Sequence, residues 1–190
     1  MQPQPDPAFW QQVEQFFYFD PALLAEPGMI LRIVLQAILL LCSAFFSGSE
    51  TALFSLSRMD LQQLLRAGHP RAKTLQALLD SPRRLIISIL CGNELINIAA
   101  VANMTGILVL LYGDAKGGIM SVAVMVPLLL LFGEITPKTI AVSNPARVSS
   151  GLVAAPMQLW VRLITPVRIA IRWVAERVTN WIVGQEKAPE

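Results

Sequence analysis

The chain has 190 residues, of which 54% are hydrophobic and 15% are charged. A mean hydropathy of +0.55 excludes an ordinary soluble domain and points to an integral membrane protein. The net charge is only +2, and the basic residues border apolar segments instead of forming one basic domain, which excludes a nucleic-acid partner.

In chain order, residues 1–8 are rich in Pro and Gln and read as disordered. Phe9–Phe19 is aromatic and suits either the outer membrane surface or a short packing arm. No basic region, apolar core and small-residue cleavage site open the chain, so the first membrane helix directs insertion. That first span is Met29–Phe46, with Arg32 snorkelling near its outer end. It is slightly short of the roughly 20 residues a span needs, and Ser47–Leu56 would supply the rest. Ser57 to Asp80 is amphipathic, with Leu61, Leu64 and Leu65, then Leu75, Leu78 and Leu79, at helical spacing. Gly68–His69–Pro70 divides it in two. Ser81–Pro82 has the pattern of a helix start, Ser as cap and Pro at the first position.

Leu85–Tyr112 is the second span, and Gly113–Gly118 a turn on the outer side. Ile119–Phe132 is a third apolar run, too short to cross unless it continues through Gly133–Lys138, where Pro137 obstructs a helix. Val148–Pro166 is compatible with a span, a re-entrant segment or a helix along the inner face. Val167–Val183 places Val167, Ala170, Ile171, Val174, Val178 and Trp181 on one face and Arg168, Arg172, Glu176 and Arg177 away from it, the pattern of an interfacial helix. The expected fold is therefore all-α and integral to the membrane. It has three transmembrane helices with broken or re-entrant segments, followed by juxtamembrane helices.

The expected organisation is an extracytoplasmic segment at 1–28, a transmembrane core at 29–147, juxtamembrane helices at 148–183 and a linker at 184–190. The first 31 residues carry Asp6, Glu14, Asp20 and Glu26 and no Lys or Arg. Residues 51–84 carry Arg58, Arg66, Arg71, Lys73, Arg83 and Arg84, and five arginines from Arg147 to Arg177 follow Lys138. The positive-inside rule then places the N-terminus outside and the C-terminus in the cytoplasm. Cys42 and Cys91 lie inside apolar runs and read as packing residues.

Three polar interruptions mark the apolar segments: Ser43–Glu50, Gly92–Asn97 and Gly133–Lys138. Carboxylates and amides at such depth are costly and signal a functional pathway. Ser43 and Ser47 are four residues apart and share a helix face, as do Asn93 and Asn97. With Glu134 and the carbonyl of Gly133 they supply oxygen ligands only, which favours Mg²⁺, Ca²⁺ or Na⁺ over softer metals.

The motifs Ser47-Gly-Ser-Glu-Thr-Ala52, Gly92-Asn-Glu-Leu-Ile-Asn97 and Phe132-Gly-Glu-Ile-Thr-Pro-Lys138 resemble, in order and spacing, those of the CNNM/CorC magnesium transporter membrane domain. The resemblance covers about residues 29–180. It implies a homodimer of three-helix subunits with a cytoplasm-facing cavity and a helical belt on the inner surface. It implies Mg²⁺ export, coupled to Na⁺ in some members, across a plasma membrane, here a bacterial inner membrane. It also implies cation ligands at Ser43, Ser47, Asn93 or Asn97, Glu134 and the Gly133 carbonyl. Family members continue into ATP-binding CBS domains, which are not in this sequence, and are not enzymes.

Other readings of the same residues stand beside this one. Ser43, Ser47, Asn93 and Asn97 suit interhelical bonding, and a buried Glu134 suits a protonated, hydrogen-bonded state. Lys138 suits snorkelling or a counter-charge to Glu134, and Ser49, Glu50 and Thr51 suit capping of a new helix after Gly48. His69, in its Gly–His–Pro turn, reads as exposed. An intramembrane hydrolase would use Ser47 as nucleophile and Lys138 as base. A Mg²⁺ sensor or scaffold without transport would need the same ligands as a transporter.

Overall fold

The computed structural model describes residues 21–167 together with 169, 170, 173, 174 and 177. The aromatic segment Phe9–Phe19, most of the interfacial helix Val167–Val183 and the linker from Gly184 lie outside the described residues. Within the part of that helix that is described, the Arg177 guanidinium stands 5.5 Å over the Trp173 ring.

Among the described residues the structure is helical throughout, without strands. After a 3₁₀ turn at Pro21–Ala25 come α1 (Pro27–Ser55), α2 (Arg58–Arg66), α3 (Ala72–Leu79) and α4 (Pro82–Tyr112). Next are α5 (Asp114–Leu128), a π-helical segment Leu129–Ile135, and α6 (Thr136–Ser143). The series ends with α7 (Pro145–Val148), a second π segment Ser149–Val153, and α8 (Ala154–Leu163). Among the described residues three helices are long and apolar enough to cross a membrane: Pro27–Ser55, Pro82–Tyr112 and the continuous helix Asp114–Ser143. At 29 residues, α1 is about 44 Å long, more than the roughly 30 Å hydrocarbon layer. Its exposed Leu31 and Leu41 are the kind of surface that lipid covers.

Two expected breaks are absent. Gly48 does not interrupt α1, so Ser49 caps nothing and is buried inside that helix. The third apolar run continues past Pro137 to Ser143, because the wider π turns ahead of the proline absorb its missing donor. The same device recurs at Ser149–Val153, just before Pro156. The Gly113–Gly118 turn shrinks to one residue. Gly113 has φ 80°, and α5 begins at Asp114. Gly117 is then a packing residue, since a Cβ there would lie 2.5 Å from the Val109 backbone. Expected starts hold elsewhere. Ser57 and Asp60 form a capping box at α2, and Pro82 opens α4.

The chain divides into two compact units, Met1–Ala44 with Glu94–Thr136, and Phe45–Asn93 with Pro137–Glu190. In the first unit, Leu39, Ala100 and Met125 form a buried cluster with Ile96, Ala99, Met104, Leu128 and Leu129 against it. Beside them runs a polar chain. Asn103 Nδ2 donates to Gln36 Oε1 at 3.0 Å and to the Arg32 carbonyl at 2.9 Å, and buried Gln36 donates to Met125 Sδ at 3.4 Å. Thr105 and Ser121 hydroxyls bond at 3.0 Å between α4 and α5.

In the second unit, α3 packs against the second π segment and α8, burying Leu75, Leu78, Val153, Ala154 and Met157. Arg71 Nη1 donates to the Ser150 carbonyl at 3.2 Å and to the Gly151 carbonyl. The π widening and Pro156 leave carbonyls there short of helix donors, and the guanidinium supplies N–H groups to two of them. Trp160 Nε1 donates to the Ser88 carbonyl at 2.7 Å, and its ring meets Phe46 edge-on at 5.1 Å.

Candidate functional site

The sequence-predicted site residues fall into two sets, one in each unit. In the first unit, Ser43 of α1 is fully buried and its Oγ donates to Asn97 Oδ1 of α4 at 2.7 Å. Gly133, within the π segment, lies against the same hydroxyl, for a Cβ built there would stand 2.8 Å from Ser43 Oγ. Glycine is therefore required by the close approach of a polar side chain to bare backbone. The π geometry shifts the backbone register locally, a feature often found at functional sites. Pro137 has no N–H to return to the Gly133 carbonyl four residues before it. Glu134 follows directly and is half-buried. Ser43 and Asn97 thus bring a hydroxyl and an amide together against the Gly133 backbone, with the Glu134 carboxylate next in the chain. The Ser43 proton is committed to Asn97, so the lone pairs of Ser43 Oγ are free to accept or to ligate.

In the second unit, Phe46 of α1 lies on Gly92 of α4, where a Cβ would meet the ring at 2.4 Å. Gly48 lies on Pro137, where a Cβ would meet the proline Cβ at 3.4 Å. The Ser43–Glu50 interruption therefore meets each of the other two here through a glycine. Ser47 sits in the chain between those two contacts, and Asn93 follows Gly92. Ser47 Oγ and Asn93 Oδ1 are both buried and lack a hydrogen-bond partner among the described residues, as do Ser49 Oγ and Ser149 Oγ. Buried polar atoms of this kind are rare, and each calls for an explanation such as an ion.

Several neighbours behave differently from the readings above. Lys138 Nζ lies 3.8 Å from Glu50 Oε2, so the Lys138 counter-charge is Glu50 and the pair is partly exposed. Glu50 is accordingly not a cap. Ser47 Oγ has no hydrogen-bond partner among the described residues, Lys138 included. Glu94 is exposed. His69 is half-buried instead of exposed, its Nδ1 accepting from the Arg71 amide at 3.3 Å. Cys42 and Cys91 are free thiols, half-buried as packing residues are. Among the described residues no three His, Cys, Asp or Glu side chains gather as a metal cluster. The ligand chemistry on offer there is hydroxyl, amide and carbonyl oxygen with Glu134.

Sequence reasoning passed over Gln36 and Ser149. Gln36 carried a usable signal, an amide in the middle of an apolar run. Ser149 carried none, since serine is common in such helices.

An all-helical membrane domain with oxygen-bearing groups buried in its apolar helices is the class these features define. The family described as the Cyclin M transmembrane N-terminal domain (CNNM) matches residues 34–190. The chain belongs to this family. An inner membrane protein of Escherichia coli strain K12, YfjD of the UPF0053 group, is 38% identical over 143 residues, 74% of this chain and 32% of that protein. A UPF0053 protein of Haemophilus influenzae is 41% identical over 116 residues, 61% of this chain and 27% of that protein. The metal transporter cnnm-1 of Caenorhabditis elegans is 27% identical over 160 residues, 82% of this chain and 18% of that protein. The chain thus spans about a third or less of these relatives.

Proposed function

We propose that this domain carries Mg²⁺ across the membrane by alternating access. Its candidate ligands are Ser43, Asn97, Glu134 and the Gly133 carbonyl in the first unit, and Ser47 and Asn93 in the second. The observation that carries the reading is the pair of buried, unpartnered oxygens, Ser47 Oγ and Asn93 Oδ1, flanking the contact of two signature motifs. Left dry, each such atom costs about 1–3 kcal/mol, and a hard cation is one partner that would satisfy such an oxygen. Mg²⁺ demands close octahedral oxygen coordination and sheds water reluctantly, which suits neutral oxygens with one carboxylate and some retained water. The relative named a metal transporter supports a metal ion as the cargo.

The reading extends to export, with Na⁺ entry as the driving flux, in a homodimer within the bacterial inner membrane. The N-terminus would be outside and the C-terminus inside. In the full-length protein, ATP-binding CBS domains would follow. The test is Mg²⁺ flux in proteoliposomes, wild type beside Glu134→Ala, with a Na⁺ gradient on and off. Flux that requires Glu134 and responds to Na⁺ is expected. Flux that persists unchanged in Glu134→Ala refutes the site, and Glu134-dependent binding without flux would make the domain a sensor.

A further inference from the structure

A cleft of about 190 Å³ opens in the second unit between α3, the first turn of α4 and α8. None of the candidate ion ligands lines it. Its polar lining is Arg84 and Arg162 with the Thr74 and Ser81 hydroxyls and the Gln158 amide. Among the described residues no carboxylate lines the cleft, and neither guanidinium has an ion-pair partner. Two uncompensated cations beside one cleft repel each other and attract an anion. The guanidinium fork matches phosphate oxygens in particular. The volume is about six times the roughly 30 Å³ share of a water, enough for a phosphate ester.

The surroundings say what that ester is attached to. On α8, Leu159 and Leu163 flank Arg162 and are 60% and 63% exposed. The cleft thus lies at the start of a helix long and apolar enough to span a membrane, with exposed leucines beside Arg162. We propose that it binds the phosphodiester headgroup of an anionic phospholipid, with the acyl chains against exposed Leu159 and Leu163. A soluble phosphate ester shares the headgroup chemistry but gains nothing from the leucines.

The test is retention of phosphatidylglycerol against phosphatidylcholine by the purified 190-residue chain, read by native mass spectrometry in detergent. Phosphatidylglycerol is expected to be retained preferentially. Arg84→Gln and Arg162→Gln should each weaken retention about fivefold, and together about 30-fold, at the usual strength of a basic residue near an anionic surface. Arg58→Gln with Arg66→Gln removes the same charge away from the cleft and should leave retention unchanged. The Lys pair Arg84→Lys with Arg162→Lys keeps the charge and should recover part of it, which separates binding from folding. Equal retention of the two lipids, or unchanged retention in the Gln variants, overturns the proposal. Inorganic phosphate competing on equal terms with phosphatidylglycerol overturns the lipid and leaves a soluble ester as the ligand.

Discussion

Gly133→Ala tests whether the π segment is held open for the Ser43 hydroxyl. The new Cβ would stand 2.8 Å from Ser43 Oγ, where ordinary contact begins near 3.4 Å, so something must move about 0.6 Å. Ser43 Oγ is tied to Asn97 Oδ1 at 2.7 Å, and such a shift carries the bond past the usual O–H···O range of about 2.5–3.0 Å. The lost bond costs about 0.5–1.5 kcal/mol, and overpacking adds about 1–3 kcal/mol. Alanine returns about 1 kcal/mol of helix propensity. The net expectation is a loss of about 1–3 kcal/mol. Ser43→Ala removes the obstructing oxygen, and the remaining Cβ–Cβ approach of 3.7 Å is ordinary contact. In that background Gly133→Ala should cost about 1–2 kcal/mol less. Equilibrium unfolding in mixed micelles, followed by circular dichroism, measures the cycle. Additivity within about 0.5 kcal/mol would refute the packing argument.

Gly92→Ala drives a methyl into the Phe46 ring and should destabilise the protein by about 1–3 kcal/mol, with Phe46→Leu in the same chain restoring part of it; thermal unfolding in detergent decides. Trp160→Phe keeps the edge contact with Phe46 but loses the bond to the Ser88 carbonyl, for an expected loss of about 1–2 kcal/mol in the same assay.

Much of the fold was legible because long apolar runs have few alternatives in a membrane. Ser57, Pro82 and the Gly68–Pro70 break announced their own helix ends. Gly48 and Pro137 misled, because a glycine can serve close packing and a proline can be absorbed by a preceding π turn; neither choice is written locally. The Ser43–Asn97 bond follows the i, i+4 faces read from sequence. Which hydroxyl is paired and which is left unpartnered depends on tertiary contacts, and spacing is silent on that. Lys138 shows the same limit: its partner, Glu50, comes from another motif.

The one-residue reversal at Gly113 bears on biogenesis. Were Pro82–Tyr112 and Asp114–Ser143 both to cross a membrane, the second would return to the side the first left, and Arg83 and Arg84 at the start of α4 would share a compartment with Arg147 after α6 whatever their charge. The three apolar segments then carry only two independent orientation decisions. A charge reversal near the second and third segments would have to flip them together or leave both in place.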